Sequence, residues 1–355
     1  MAQSSAVRTV TSTPSSTAPG ASQLALGLSQ GEPLPSGNPL GYELGWEHAR
    51  HGLTPPVEQL FTQSPLRQGW QAGRASFGRR ALKPTTATRQ WLQLRTHAWT
   101  RGLAYESTLL TANYLQQLEV AHCPITRSPL NQLMADGAQK RIVRVRVDAG
   151  YAAGNLAVIS RQAHQAKGHR GWASAWAIAQ SLSQGPLREM GGLDAAAWQR
   201  MAVLGSFVTE LSHDEAARIP LHVLPPNRLR LFNPIQALQA LVTRQLATPG
   251  WSQRLARLEA LLPAAQQADF NRFVLALVPR VLQAGALQHA HEIRWALEDA
   301  WAHPLVQRRW TQFALKLDAA QAELLVQRAA ARQLSPVLVQ QHGPASATEG
   351  WGLKP

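Results

Sequence analysis

Arginine side chains on a predicted strand are the groups of this sequence best placed to do chemistry. Arg144 and Arg146 alternate with Val143, Val145 and Val147. Because successive side chains of a strand point to opposite faces, this alternation predicts a strand with one apolar and one basic face. The planar guanidinium of arginine suits bidentate contacts with phosphate oxygens and stacking on bases. A row of such groups could therefore bind a polyanion.

The chain as a whole is strongly basic. Its 35 Lys and Arg against 21 Asp and Glu give a formal net charge of +14, and most of the basic residues are arginine. This balance favours a polyanionic partner over an acidic small molecule, and DNA or RNA is the natural candidate. The alternative is that the basic excess is only a solubilising surface, and the charge alone does not distinguish the two.

A second series of arginines lies on a segment with helical spacing. Residues 86–121 carry apolar groups three and four positions apart, which predicts two helices. Arginines 89, 95 and 101 are interleaved there with Trp91 and Trp99, and such a mixture can stack bases and clamp phosphates. We favour the alternative, in which the tryptophans face the core and the three arginines face water.

His289, His291 and Glu292 have side chains of the types that ligate metals. Ligands two residues apart on a helix point to different faces, so this spacing does not build a site of the His-Glu-x-x-His kind, and we expect structural roles. The chain also lacks a Walker-type phosphate loop, a dinucleotide fingerprint after a strand and a Gly-x-Ser-x-Gly elbow. ATPase, dehydrogenase and hydrolase functions are therefore unsupported.

The chain has 355 residues, which is long enough to form two domains and to bury a sizeable core. We predict a mainly α fold with a small strand–strand–helix unit and a multi-helix C-terminal domain of about six or seven helices. Cys123 is the single cysteine, which excludes an intramolecular disulfide. The predicted divisions are a disordered tail at 1–38, an N-terminal helical region at 39–121, the small unit at 122–171, a helical domain at 172–335 and a flexible tail at 336–355.

The hydropathy of the chain bears on its location. No run of about eighteen consecutive apolar residues occurs, so a transmembrane span is not expected. The N-terminus lacks the basic start and apolar run of a secretory signal. We expect a cytoplasmic protein without a membrane partner.

The unit at 122–171, hereafter the finger, is predicted to consist of strand, turn, strand and helix. Its turn at 148–155 contains Gly150 and Gly154, which tolerate the positive φ that a hairpin connection often requires. An apolar pair after the turn predicts the second strand. Ser160 is a favourable N-cap for the helix that follows.

Two Gly-Trp segments lie near the N-terminus. Residues 41–78 place Trp46 and Trp70 at similar points of two short helices, separated by Pro55 and Pro56. Glycines beside the tryptophans let the two helices approach closely. This layout resembles the ribosome modulation factor group of small helical proteins, which share Gly-Trp helices separated by a proline-containing loop. The alternative, which we favour, is that both tryptophans only anchor a helical hairpin.

The segment from 122 to 168 resembles the HNH, or His-Me finger, endonucleases. The residues that carry the resemblance are, in order, Asp148, Gly150, Tyr151, Gly154, Asn155, Leu156, Ser160, Arg161, His164, Lys167 and Gly168, and the stretch Cys123–Thr126 resembles the start of many such units. Members of that group share a ββα outline. The resemblance also implies a bacterial setting.

The resemblance implies roles for three of these residues. His164 occupies the metal-ligand position of the helix, Asn155 the turn position that in the family positions the catalytic histidine, and Lys167 a contact with the phosphate backbone. The reaction of the family would require Mg²⁺ or another divalent metal and a histidine that activates water.

The positions of the family's general base and first metal ligand carry no suitable side chain here. They are occupied by Val143, Arg144 and Val145. His122 could replace the base from outside the finger, or Asp148 could hold the metal through a shifted register. Because hard divalent ions require several donors, we expect weak or no nuclease activity.

We therefore expect a nucleic-acid-binding protein built on a degenerate finger. The residues expected to grip phosphates along one side are Arg144, Arg146, Arg161, Lys167 and Arg170. One alternative is an active metal-dependent endonuclease. Another is a helical protein that binds a protein partner and whose basic charge is incidental.

Overall fold

The computed structural model describes residues 38–130, 137–285 and 287–334, together with Trp351. In this part of the chain fourteen α-helices accompany two small two-stranded sheets, which confirms the mainly α fold. The tails predicted to be disordered or flexible lie outside the described residues, apart from Asn38 and Trp351.

The first two helices, α1 (Pro39–Arg50) and α2 (Pro65–Phe77), form the expected N-terminal hairpin. Their backbones touch at Gly45 and Gly69. A Cβ atom added at Gly45 would lie 2.0 Å from the carbonyl oxygen of Leu66. Only glycine allows the two main chains to come this close.

The two tryptophans of the hairpin are half-buried beside this contact. The ring of Trp46 packs edge-on against Phe77, with 5.3 Å between centroids. Nε1 of Trp70 donates a hydrogen bond to the carbonyl oxygen of Leu53 at 2.9 Å. Both side chains therefore anchor the hairpin, as expected.

We expect Gly45→Ala to lower the free energy of unfolding by about 1–3 kcal/mol. The added methyl group meets main-chain atoms of α2, which can move only if the helices separate. Chemical denaturation followed by tryptophan fluorescence measures the change. Gly171→Ala is the matched control, because no described atom lies within 4 Å of its added Cβ. Equal losses in the two variants would contradict the role of the close approach.

The next two helices, α3 (Thr86–Thr100) and α4 (Ala112–Gln117), confirm the pair predicted for residues 86–121. Each begins after a threonine whose side chain caps the first turn. Oγ1 of Thr85 and Oγ1 of Thr111 accept hydrogen bonds from backbone N–H groups at 3.1 and 3.2 Å. Such caps satisfy donors that the helix itself leaves free.

Arg95 of α3 is buried, with 7 % of its surface exposed. Its guanidinium lies 4.8 Å from the ring centroid of Trp91, and its Nη2 lies 2.8 Å from Oε1 of Glu43. The cation–π contact and the ion pair compensate for the lost hydration. The prediction that the arginines of this segment face water is therefore wrong for Arg95, although Arg89 and Arg101 are exposed.

In the finger, β1 (Lys140–Arg144) pairs antiparallel with β2 (Leu156–Ser160), and α5 (Arg161–Lys167) follows. This order confirms the predicted strand, turn, strand and helix. Ser160 caps α5 by accepting a hydrogen bond from a backbone N–H of the first turn at 3.2 Å. Gly154 is the turn glycine with a positive φ, at +91°.

β1 ends at Arg144, although the alternating pattern continues to Val147. The side chain of Asn155 engages the backbone of Arg146, whose N–H donates to Oδ1 at 2.9 Å and whose carbonyl accepts from Nδ2 at 3.0 Å. These backbone groups are no longer available to pair with β2. The strand is therefore shorter than predicted.

From Trp172 onwards the described chain contains nine helices and a short β-hairpin, more helices than predicted. They are α6 (Trp172–Gln184), α7 (Ala195–Ser206), α8 (His213–Arg218), α9 (Pro234–Leu246), α10 (Trp251–Glu259), α11 (Ala264–Ala284), α12 (Ala290–Ala300), α13 (Pro304–Ala314) and α14 (Ala319–Ala331), with β3 (Glu189–Met190) and β4 (Leu193–Asp194) between α6 and α7. A helix as short as α8 shows no clear period in a sequence. None of the described helices is both long and apolar enough to cross a membrane.

One hydrophobic core joins the finger to the C-terminal helices. Val143 of β1 and Trp198 of α7 belong to the same buried cluster. Trp351 adds a contact from the C-terminal segment, because its Nε1 donates to the carbonyl oxygen of Ala153 at 3.0 Å and its ring lies 5.2 Å from that of Phe232. The C-terminal part of the chain thus packs against the finger.

Candidate nucleic-acid interface

A cleft of about 630 Å³ lies between α3 and the finger. Its walls are Gln90, Gln93, Leu94, His97, Arg101 and Leu103 on one side, and residues 140–144, Val147, Tyr151, His164, Lys167, Gly168 and His169 on the other. Among these lining residues five are lysine or arginine, three are histidine and none is aspartate or glutamate. Lys140 forms an ion pair with Glu119, which lies outside the lining. The remaining cations give the cleft a positive potential that attracts anions.

Helical spacing places one histidine and one cation on each wall. His97 and Arg101 are four residues apart on α3 and its C-cap, and residues at this spacing are neighbours on a helix surface. His164 and Lys167 are three residues apart on α5. The two helices thus present matching pairs of side chains to the cleft.

Lys167 has the least usual environment of the lining residues. It is 4 % exposed, and no described residue shares a hydrogen bond with its amino group. Burial and the charge of Arg144 lower the pKa of Lys167 from 10.5 to about 8, and Asp148 opposes this shift only in part. The charged form of this lysine is poorly hydrated, and a bound anion would offset that cost.

Arg144 and Tyr151 connect the turn of the finger to α3. The guanidinium of Arg144 donates to the carbonyl oxygens of Val147 and Ala149 at 2.9 and 2.8 Å, and it lies 5.3 Å from the centroid of the Tyr151 ring. The hydroxyl of Tyr151 and Nδ1 of His97 share a hydrogen bond of 3.0 Å. Burial raises the pKa of Tyr151, so this hydroxyl stays protonated. The bond orients the imidazole of His97 in the cleft.

The five residues expected to grip phosphates separate into two groups: Arg144 and Lys167 line the cleft, whereas Arg146, Arg161 and Arg170 do not. Arg170 donates to the carbonyl oxygen of Ala166 at 3.0 Å, and its guanidinium lies 6.0 Å from the ring of Trp198. Contacts within the protein therefore occupy a side chain that the sequence pattern assigned to the ligand.

His164 and Asp148, the two expected metal ligands, do not fit a divalent cation. Both carboxylate oxygens of Asp148 accept hydrogen bonds from Nε of Arg146 at 3.1 Å. Burial lowers the pKa of His164, and the nearby charges of Lys167 and Arg141 add to this effect. Within the described ranges no group of three or more His, Cys, Asp or Glu could hold a metal ion. Cations surround the histidine, so a further cation beside it would be repelled.

Asn155, to which the resemblance assigns a positioning role in catalysis, lies outside the cleft lining and is fully buried. Besides its two bonds to the backbone of Arg146, its Nδ2 donates to the carbonyl oxygen of Gly150 at 2.9 Å. The amide therefore closes the turn between β1 and β2. It supports the wall that carries Arg144 and Tyr151.

Asn155→Ala is expected to lower the free energy of unfolding by about 3 kcal/mol, because it leaves a backbone N–H and two carbonyl groups without their partner inside the protein. Urea denaturation measures the difference. Asn227→Ala, at an exposed asparagine, serves as the control and should change stability by less than about 0.5 kcal/mol. A small effect at position 155 would mean that water reaches the turn.

His122 packs against α12 instead of the cleft. Its ring stacks on His291 at 4.4 Å and meets the edge of Trp295 at 5.3 Å. It is therefore not placed to replace a missing general base in the finger. Structural roles also account for the neighbouring residues, since the backbone N–H of His289 donates to the carboxylate of Glu292 at 3.4 Å at the start of α12.

Among the lysine, arginine and histidine residues that line the cleft, sequence reasoning did not single out His97, Lys140, Arg141 and His169. His97 lies on α3, far from the finger in sequence, and no local pattern signals that the two meet. The sequence pattern singled out Arg101 because tryptophans are near it in the chain, and it did not indicate that Arg101 lies beside the finger. Lys140 and Arg141 precede the alternating pattern that drew attention to β1.

Comparisons with protein-family models, with curated proteins and with solved structures find no match to this chain. The resemblances to HNH endonucleases and to ribosome modulation factors stay predictions from short motifs.

Proposed function

We propose that this protein binds nucleic acid in the cleft between α3 and the finger. The observation that carries the proposal is Lys167, a buried lysine that lines a cleft together with Arg101, Arg141 and Arg144 and no carboxylate. Arginine and lysine in such an arrangement suit phosphate groups.

The apolar residues of the lining favour a nucleotide ligand over an inorganic anion. Leu94, Leu103, Ile142 and Tyr151 lie among the cations. Proteins that bind single strands combine a positive groove for the backbone with aromatic and apolar surfaces for the bases. The net charge of +14 adds a long-range attraction for a polyanion.

Metal-dependent cleavage of DNA is not part of the proposal, because the residues available for a metal do not fit one. The proposed site would operate in the cytoplasm, where DNA and RNA are accessible to a bacterial protein. A reducing compartment is also compatible with the single buried cysteine, Cys123.

Fluorescence anisotropy with labelled single-stranded DNA, duplex DNA and single-stranded RNA tests the proposal over a range of salt concentrations. We expect the double variant Arg101→Ala/Arg141→Ala to bind at least about tenfold more weakly and to show a smaller salt slope. The control, Arg328→Ala/Arg332→Ala on exposed positions at the end of α14, removes the same charge. Equal losses in both double variants, or binding that does not respond to salt, would overturn the proposal.

A further inference from the structure

The cleft contains the side chains needed for phosphoryl transfer without a metal. His97 projects from α3, and His164 and Lys167 belong to α5 on the opposite wall. The two histidines line the same cleft of about 630 Å³, one on each wall. Both rings are exposed, whereas Lys167 is buried beneath the cleft surface.

We infer that the cleft cleaves single-stranded RNA by internal transesterification, with His97 and His164 as the proton-transfer pair and Lys167 as the group that stabilises the reacting phosphate. This inference rests on the proposed function, because it requires the RNA backbone to occupy the cleft.

The reaction needs no co-reactant beyond the RNA. Neutral His164 accepts the proton of a ribose 2′-hydroxyl while O2′ forms a bond to the adjacent phosphorus. Protonated His97 donates a proton to O5′ as the P–O5′ bond breaks. The products are a 2′,3′-cyclic phosphate and a 5′-hydroxyl, and two steps of proton exchange with water restore the histidines.

The hydrogen bond between Tyr151 and His97 is the basis for assigning His97 as the acid. The Tyr151 hydroxyl, 3.0 Å from Nδ1, accepts a hydrogen bond from the protonated ring. Nε2 is then the nitrogen available to the leaving oxygen. Lys167 stabilises the additional negative charge of the pentacoordinate phosphate, an electrostatic role that is strongest in a site shielded from water.

The composition of the cleft selects RNA over DNA. Its lining residues offer no carboxylate to hold a divalent ion that could activate water. The 2′-hydroxyl of ribose is then the nucleophile that lies next to the phosphate, and DNA lacks it. A single strand is required, because in-line attack by O2′ needs a backbone free to leave the A-form geometry.

The pH profile is expected to be bell-shaped, with its maximum on the acid side of neutrality. His164 faces Lys167, Arg141 and His97, while His97 faces Arg101, Arg144 and Tyr151. Partial burial of the rings and these positive charges lower the pKa of both histidines. Activity therefore falls above the maximum as the acid loses its proton, and below it as the base gains one.

The experiment incubates the full-length protein with a labelled single-stranded RNA and with its all-deoxy counterpart, each in excess EDTA. We expect the RNA alone to be cut, and mass spectrometry of the wild-type products to detect the 2′,3′-cyclic phosphate. His97→Gln and His164→Gln should each lose about 100-fold or more in rate and still bind the deoxy strand. His289→Gln, at the start of α12 outside the cleft, is the control: it is purified in the same way and should cut RNA like the wild type.

The outcomes separate this inference from the proposed function. Binding of both strands without cleavage of RNA would overturn the inference and leave the proposed function intact. Cutting that persists in both histidine variants, or that yields no cyclic phosphate, would also overturn it. Absence of binding to either strand would remove the proposed function together with the inference. Thermal unfolding of the variants verifies that these exposed histidines are not required for folding.

Discussion

Lys167→Met is expected to stabilise the protein and at the same time to weaken its binding of nucleic acid. The lysine is buried, and its pKa falls from 10.5 to about 8 because the charged form is poorly solvated. Each pKa unit corresponds to about 1.4 kcal/mol, so removing the charge is expected to raise the free energy of unfolding at pH 7 by up to about 3 kcal/mol. Methionine fills a similar volume without a charge.

The gain in stability should depend on pH. Between pH 8 and pH 10.5, the two pKa values of Lys167, the unfolded chain binds more protons than the folded chain. The stability of the wild type therefore rises with pH across this window. Below pH 8 both states are protonated and the full penalty of burial is present. The difference between wild type and Lys167→Met is thus largest near neutral pH and closes as the pH approaches 10.

The same variant tests the role of Lys167 as an anion site. The affinity of the wild type for an oligonucleotide should decline above pH 8, as the free amine loses its charge, whereas the weaker affinity of Lys167→Met should not show this decline. Lys83→Met, at an exposed lysine, is the control for the loss of one positive charge. A Lys167→Met variant that is less stable than the wild type, or that binds equally well, would contradict this account.

Glu298→Ala is expected to destabilise the protein by about 3–5 kcal/mol, the range for breaking a buried ion pair. Glu298 is 1 % exposed. Its Oε1 accepts hydrogen bonds from the backbone N–H of Leu224 at 2.8 Å and from Nε of Arg294 at 2.9 Å, and its Oε2 accepts from Arg127 at 3.3 Å. Alanine would leave these donors without their acceptor.

Loss of the Glu298 carboxylate should also make the strands of the finger open more often. Arg127 lies in the turn after Cys123 and has a φ of +59°, an unusual value for a residue with a side chain. Its guanidinium joins this turn to α12 through Glu298 and Asp299. Hydrogen exchange should therefore increase in β1 and β2 of Glu298→Ala before the rest of the core opens.

Asp299→Ala provides the comparison for this prediction. Asp299 pairs with the same arginine at 2.7 Å, but 61 % of its side chain is exposed. Exposed ion pairs contribute about 0–1 kcal/mol, so the effect should be small. Similar losses in the two variants would indicate that Glu298 is not the buried link between the finger and α12.

Local features of the finger could be predicted because their causes lie within a few residues. Ser160 caps α5 with its own side chain, and Gly154 tolerates a positive φ because it has no Cβ. The N-terminal hairpin follows from similar reasons, since Gly45 and Gly69 mark the points where two backbones meet. Such interactions depend on residue type and spacing, which a sequence displays directly.

The positions of individual arginines could not be predicted in the same way. Arg95 is buried because Glu43, on another helix, lies 2.8 Å from it. The guanidinium of Arg146 is instead bound by the carboxylate of Asp148 and by the carbonyl oxygen of Val208. Whether an arginine faces a ligand, a ring or a carboxylate depends on what the fold places beside it, and composition alone suggests only that it is charged.

The sequence by itself determined the mainly helical class, the strand–strand–helix order of the finger and its excess of positive charge, because helix caps, alternation and charge are local or additive properties. Only the tertiary structure decided that α3 faces the finger, that His97 and His164 share one cleft and that Lys167 is buried beneath it. These relations join residues far apart in sequence, and packing of the whole core sets their distances.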